Sequence, residues 1–487
     1  MSPLSIELSL GVSALFLLLL ESFSMVPRKS IAHVVIALLV AALAALIFSP
    51  PAVVPTSMGE FYRLDNLAYF YKGLALLSTL AVTVISLEYA PVINQFVSAN
   101  PERTKDAGLG EFYTLPLLVC LGMMVMASAN DLVTIFVSLE LVTVSFYVLV
   151  AFMRRSAGSL EAGVKYLILG ALSTGLLVYG MAWLYGLTGQ MTLEGITGKI
   201  THWQGSNVPL LFAAALLIAG LGFKVAAVPF QIWVPDVYQG APTPVTAFLS
   251  VGSKAAGFIV LTRVVQTFLA PHSVIAPQVT QMLLVLACAT ILFGNLAAIA
   301  QTNFKRLLAY SSISHAGYLL LALACHASGL GFTPSEVVAF YLATYLPMTF
   351  ICFLVLAAAR AQGISEDIAS FQGLARTSPK IGFALTLALA ALAGLPLTAG
   401  FMGKFLVFFA ATLDGNYASL VIAIIGAAAG FYYYFKIILT LHTEPQPGAP
   451  VVSLNAGSQI LLVLFVVAII FVGVYPDLIG RLLHASH

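Results

Sequence analysis

Residues 208–235 read VPLLFAAALLIAGLGFKVAAVPFQIWVP, and only one of them, Lys224, is charged. An α-helix rises about 1.5 Å per residue, so about 20 apolar residues cross roughly 30 Å of hydrocarbon. This run is a membrane-spanning helix, but not a continuous one. Pro229 and Pro235 each remove a backbone donor and crowd the preceding turn, so the helix is expected to break beside its lysine. Backbone freed in that way is tolerated at membrane depth only where protein or water covers it. A polar cavity around Lys224 is therefore the expectation.

Working outward, the same kind of run recurs along the whole chain. Of 487 residues, 60% are apolar and 8% are charged, where soluble domains carry about a quarter charged residues. The mean hydropathy is +1.01, and no polar block is long enough for a separate soluble domain. Apolar runs of spanning length fall near 3–24, 31–49, 66–88, 110–128, 131–152, 159–188, 208–235, 243–269, 276–300, 304–325, 334–360, 379–412, 417–441 and 459–483. The fold class is all-α, a polytopic membrane protein with about fourteen transmembrane helices. The first run reads as a helix that stays, because its positive pair, Arg28 and Lys29, follows it and no small-residue cleavage site is evident.

Several function classes drop out. The net charge of +2 and the absence of a basic tail give no sign of nucleic acid binding. Cys120, Cys288, Cys325 and Cys352 stand singly in apolar stretches, without the paired spacings of zinc, iron–sulfur or redox-disulfide sites.

Lys and Arg resist translocation and mark cytoplasmic loops. One side of the helices holds Arg28, Lys29, Arg103, Lys105, Arg154, Arg155, Lys305, Arg306, Arg360, Arg376 and Lys380; the other holds Arg63, Lys199 and Arg481. Both termini are therefore expected outside the cytoplasm. Lys72, Lys165, Lys224, Lys254, Arg263, Lys404 and Lys436 remain within helices. Lys72 and Lys436 lie near span ends, where snorkelling to the interface is the expectation.

An ionisable group at the bilayer centre is costly and usually functional. Glu140, Lys224 and Lys254 fall near mid-depth on three helices, although a structural salt bridge is the alternative for any one of them. A second interrupted helix lies at 379–412, where GLPLTAGFMGK (394–404) places Pro396 beside Lys404. Its 34 residues would reach about 50 Å as one straight helix, too far for one span.

Two broken helices about 180 residues apart suggest a duplication of five-helix units in inverted topology. The expected organisation is an N-terminal three-helix segment at 1–109, repeats at 110–269 and 276–441, and a C-terminal helix at 459–487. Lysine suits proton transfer because burial disfavours its charged form and a nearby carboxylate restores it. His315, in SSISHAGY (311–318), titrates without help or serves as a hydrogen-bonded core residue.

At this point the residues resemble a known family. PFQIWVPDVYQGAPTPVTAFLS (229–250), followed by Lys254, is similar to the signature of the N-type antiporter-like, proton-translocating subunits of respiratory NADH:quinone oxidoreductases, or complex I. The SSISHAGY and GLPLTAGFMGK segments extend the resemblance over essentially the whole chain. By that resemblance, Glu140, Lys165, Lys224, Lys254, His315 and Lys404 form a proton relay, and Lys404 with the chain's end argues against the M- and L-type relatives. Gln231 stands where many relatives have histidine, which argues against protonation there.

The resemblance implies protons moved from the cytoplasm outward across a cell inner membrane, with release near Lys404. It also implies neighbours: another antiporter-like subunit and small membrane subunits in the bilayer. NADH, FMN, iron–sulfur clusters and quinone would belong to other subunits, since this chain has no dinucleotide fingerprint, haem spacing or cluster-type cysteines. An Mrp-type cation/proton antiporter and a non-transporting scaffold subunit are the alternatives.

Overall fold

The computed structural model describes residues 4–23, 28–48, 54, 56–97, 109–326, 331–445 and 451–484. The major helices are α1 (Ser5–Ser22), α2 (Arg28–Phe48), α3 (Asn66–Val97), α4 (Leu109–Ser128), α5 (Leu132–Val150), α6 (Ala157–Thr188), α7 (Asn207–Val225) and α8 (Val234–Gly240). They continue as α9 (Thr243–Phe268), α10 (Ala276–Ile299), α11 (Phe304–Ala324), α12 (Pro334–Ala361), α13 (Pro379–Ala393), α14 (Ala399–Leu413), α15 (Tyr417–His442) and α16 (Ala456–Val474). Among the described residues, thirteen helices are long and apolar enough to cross a membrane, and the shorter apolar pair α13 and α14 stands beside them. The expected all-helical, many-span architecture is what the structure has.

Helix starts follow local chemistry. Asp131 opens α5 by accepting from the backbone N–H groups of Val133 and Thr134, which satisfies donors that have no partner inside the helix. Thr333 and Glu336 cap α12 reciprocally. Between the caps, helices pack according to how apolar they are on all sides. Helices α9, α11 and α12 are 94% buried and form the centre, whereas α2 and α16 bury only 28% and turn the rest outward.

Connections gather at the two ends as the alternating topology requires. At the basic-poor end Tyr62 bridges Ala129 and Asp131 bridges Thr192; at the basic-rich end Asn303 bridges Asp367. Arg103 and Lys105, counted with the basic-rich end, lie outside the described residues.

Two lysines differ from the sequence reading. Lys72 does not snorkel: its side chain is 3% exposed and its Nζ lies 2.6 Å from Glu7 Oε1 of α1. A carboxylate four helical turns from any other acid on that face was not an obvious partner, because the pairing is made across the fold. Lys305, counted as a loop charge, is buried in the first turn of α11, where it donates to the carbonyls of Gln239 (3.2 Å) and Ala241 (2.8 Å) and pairs with Glu366 at 3.4 Å. Lys436 is exposed, as snorkelling requires.

Candidate functional site

The first break begins where α7 stops at Val225. Ala226 turns the chain with φ +66° and its N–H bonds back to Gly222 and Phe223. The stretch from 226 to 233 is then closed by neighbours: Val228 N–H donates to Thr290 Oγ1 of α10 (3.0 Å) and Trp233 Nε1 donates to Phe223 O (3.1 Å). Such closure is what non-helical backbone at membrane depth demands. Pro229 lies inside this stretch, after a cis peptide bond. Pro235 instead occupies the first turn of α8, a position where proline's missing donor is harmless; it starts the second half rather than breaking the first.

Lys224 sits in the last turn of α7, buried, and its Nζ donates to Thr143 Oγ1 of α5 at 2.8 Å. Glu140 is one turn from Thr143 on α5, half-buried, and accepts from Thr174 Oγ1 at 2.8 Å. The two do not form the ion pair that their depth suggested. Glu140 instead stands with its carboxylate one turn from the threonine that holds the lysine.

Lys165 stands apart. Its side chain is 41% exposed and lies 2.7 Å from both Glu161 and Asp236. Asp236, on α8, also accepts from Arg306 of α11 at 3.0 Å, so one carboxylate ties three helices at the basic-rich end. Glu161, Lys165 and Asp236 line an open vestibule of about 310 Å³, together with Tyr89, Lys305, Arg360 and Glu366.

Lys254 follows a π-helical turn over Leu249–Ser253 within α9, the kind of local widening that recurs at functional sites. Its Nζ donates to the backbone O of Ser312 and to Ser312 Oγ on α11. Ser312 Oγ also lies 3.3 Å from Tyr238 Oη of α8. One turn along α11, His315 Nδ1 lies 2.6 Å from Tyr341 Oη of α12 and Nε2 lies 3.3 Å from Tyr434 Oη of α15. Tyr434 Oη in turn contacts Ser311 Oγ.

Lys404 lies in α14 but serves α13, since its Nζ donates to Leu392 O (2.9 Å) and Ala393 O (2.7 Å). A cation at the carbonyl-rich end of a helix is favourable. Pro396 lies in the gap between those half-helices, and the ammonium rests 5.5 Å from the Tyr318 ring centre. The structure thus brings Lys254 and His315 onto neighbouring hydroxyls, sets Lys224 and Lys404 at the two breaks, and leaves Lys165 at the surface.

Sequence reasoning missed the hydroxyl partners Thr143, Ser312, Tyr238, Tyr341 and Tyr434. The only signal was positional: Ser311 and Ser312 precede His315 by one turn. Among the described residues, Lys224, Lys254 and Lys404 have no carboxylate within 4.0 Å, while Lys72, Lys165 and Lys305 do.

A profile of the family described as NADH:quinone oxidoreductase/Mrp antiporter, transmembrane, matches residues 129–430. The NADH-quinone oxidoreductase subunit N of Desulforamulus reducens is 41% identical over 419 residues, which is 85% of this chain and 83% of that one. A chain of respiratory complex I from Thermus thermophilus, solved with bound aureothin, has a TM-score of 0.79 at 33% identity over 98% of this chain and 99% of that one. A chain of the Mrp complex from Dietzia has a TM-score of 0.82 at 19% identity, over 98% and 96% of the two chains, a likeness of fold. With the family profile spanning well over half of its residues and the subunit N relative matching most of its length, the chain belongs to the NADH:quinone oxidoreductase/Mrp antiporter membrane family, in its NADH-quinone oxidoreductase subunit N branch.

Proposed function

We propose that this chain carries protons across the membrane as an antiporter-like subunit of an NADH:quinone oxidoreductase, through Lys224, Lys254, His315 and Lys404. The observation that supports this reading most is the partner chemistry of the three buried lysines. Their hydrogen-bond acceptors are hydroxyls and carbonyls, so a proton can leave without stranding a buried carboxylate, which a salt-bridged lysine would do. The proton is taken up at the basic-rich end and held on Lys224 under the field of Glu140. It then passes by intervening water to Lys254, His315 and Lys404, because direct transfer needs heavy atoms about 3 Å apart. Lys165 gathers charge at the inner vestibule and is not a member of the buried line.

On this reading the basic-rich end faces the cytoplasm of a cell inner membrane and both termini face outward. Residues 110–269 and 276–441 are the two repeats, each with one break. Redox cofactors and quinone belong to other subunits, and the partners are another antiporter-like subunit and small membrane subunits.

The test is Lys224→Arg in the whole complex. Arginine keeps the charge but does not release its proton at physiological pH. Quinone-dependent NADH oxidation and proton uptake into vesicles are expected to fall together at least tenfold, with assembly intact on native gels. Glu140→Ala should impair both and Glu140→Asp should retain part. Wild-type rates in an assembled Lys224→Arg complex overturn the relay and favour the scaffold reading.

A further inference from the structure

The line from Lys224 to Lys404 runs across the bundle near mid-depth, so it moves charge sideways. Release near Lys404 is one way out to the basic-poor end, and a second buried charge cluster lies at that end, outside both repeats. Lys72 Nζ of α3 lies 2.6 Å from Glu7 Oε1 of α1 and donates to Tyr62 Oη at 2.6 Å. Tyr62 Oη donates onward to the same Glu7 oxygen at 2.8 Å. All three side chains are buried, with Tyr62 1%, Glu7 2% and Lys72 2% exposed.

Two further features flank this closed ring. Toward the surface, Arg263 of α9 makes two hydrogen bonds to Asp65 (2.9 and 3.1 Å), Asp65 pairs with Arg63 at 3.0 Å, and Arg63 with Arg263 lines a cavity of about 100 Å³. Burial alone would raise the Asp65 carboxyl above its ordinary value, yet the Arg263 guanidinium beside it holds it below; Asp65 therefore stays an anion and keeps this mouth polar. Toward the interior, Lys254 lies nine residues before Arg263 on the same helix, about 13.5 Å along its axis.

Among the described residues, three buried hydroxyls on the helices that carry Lys254 and Lys72 find no hydrogen-bond partner: Thr262 Oγ1 of α9, and Tyr71 Oη and Ser78 Oγ of α3. Helices α3 and α9 pack against each other. Counted from the basic-poor end, Ser78 lies about 18 Å deep and Lys254 about 21 Å, so they share a level, while Tyr71 and Thr262 lie about 8–9 Å deep, level with Lys72. A buried hydroxyl without a partner is destabilising by about 1–3 kcal/mol and calls for a reason. Three of them on two adjoining helices, one level with Lys254 and two level with Lys72, mark the two ends of a polar route whose middle intervening water would complete.

We propose that Glu7, held by Lys72 and Tyr62, is a second proton-release group, reached from Lys254 along α3 and α9 by a branch that leaves the relay before His315 and Lys404. The proposal rests on the relay reading above. An N–H bond of Lys254 breaks and, through intervening water, an O–H bond forms on Glu7. Lys254 is left neutral, and Lys72 is left as an ammonium without its counter-charge. That unpaired ammonium repels the new proton, which passes to water at the Asp65–Arg63 mouth; the Glu7–Lys72 pair then reforms. One proton arrives and one leaves.

The test uses the whole complex with Glu7→Leu/Lys72→Met. Replacing both members of a buried pair with apolar groups is often neutral or stabilising, whereas removing one strands a charge. A purely structural pair therefore predicts normal assembly and normal turnover for the double variant. A release group predicts assembled complex with NADH oxidation and proton pumping reduced together at least tenfold. Wild-type pumping by the double variant overturns this proposal, and the Lys224→Arg complex run beside it shows separately whether the relay reading stands.

If the double variant does not assemble, Glu7→Asp keeps the charge and decides the matter through the dependence of turnover on pH at the release side. The groups that bear on Glu7 are Lys72, Tyr62 and Cys120 of α4, with Asp65 and Arg263 acting on Lys72. Retracting the carboxylate from its two donors shifts the midpoint of that profile if Glu7 carries the proton. A midpoint unchanged from wild type overturns the proposal.

Discussion

At the scale of single residues, what separates the lysines we assign to the relay from the others is the partner. Lys254 leans on Ser312, Lys224 on Thr143 and Lys404 on two carbonyls, all of which stay neutral when the lysine does. Ser312 is the most exposed to test, because it serves Lys254 through both its backbone O and its Oγ and also contacts Tyr238. Ser312→Ala removes one acceptor but not the other. A lost hydrogen bond to a charged group is worth about 1.5–3 kcal/mol, so turnover and pumping should drop about tenfold or more in an assembled complex, while Ser312→Thr should keep most of both. Unaltered turnover in Ser312→Ala would mean the backbone carbonyl alone holds the lysine. The lysines were legible in the sequence because a charge amid apolar residues has few harmless explanations. Ser312 and Tyr434 were not, since a hydroxyl in a spanning helix reads equally well as packing, and its partner is chosen only when helices meet. Lys72 was misread for the same reason: Glu7 lies 65 positions away on another helix.

At the scale of elements, the two breaks are made differently and hold their lysines differently. In the first, Lys224 belongs to the half-helix that ends; in the second, Lys404 belongs to the half that begins and reaches back to the end of α13. Pro229 and Pro396 marked both breaks in the sequence because proline's cost is local and does not depend on tertiary context. Which half kept the lysine was not legible, since it depends on where the chain turns. Gly394 makes the second turn, with φ +99°, and a Cβ there would stand 3.2 Å from Lys404 Cδ. A side chain in the left-handed region is destabilising by about 1–2 kcal/mol, and here it would also press on the lysine. Gly394→Ala should therefore shorten the half-life of NADH oxidation when the complex is warmed and lower its turnover several-fold at ambient temperature. A half-life and turnover equal to wild type would show that the loop relaxes away from Lys404. Ala226, at φ +66°, offers the opposite experiment. Ala226→Gly relieves the same kind of strain and should lengthen the half-life.

At the scale of the whole molecule, the distribution of basic residues is the ground on which we propose how the bundle sits in the bilayer. The connections carrying Arg154 and Arg155, Lys305 and Arg306, and Arg376 and Lys380 belong to one end, while Arg63 and Lys199 belong to the other. The structure groups these connections by contact as well: Lys305 and Arg306 of one connection reach Glu366 and Asp236 of others, and Arg63 reaches Asp65 and Glu194. Because Lys and Arg resist translocation, the end with more of them should face the cytoplasm, and the proposed uptake at the vestibule and release at the Glu7–Lys72 ring take their direction from that. Single cysteines at positions 155 and 199 decide it, since both residues are exposed and on opposite ends. The background is low: Cys120, Cys325 and Cys352 are buried and Cys288 is half-buried, so Cys288→Ser suffices to quiet the chain. With a membrane-impermeant maleimide on intact cells, Lys199→Cys should label and Arg155→Cys should not, and both should label once the membrane is opened. Labelling of position 155 but not 199 in sealed cells would invert the bundle and, with it, the assignment of uptake and release to the two ends.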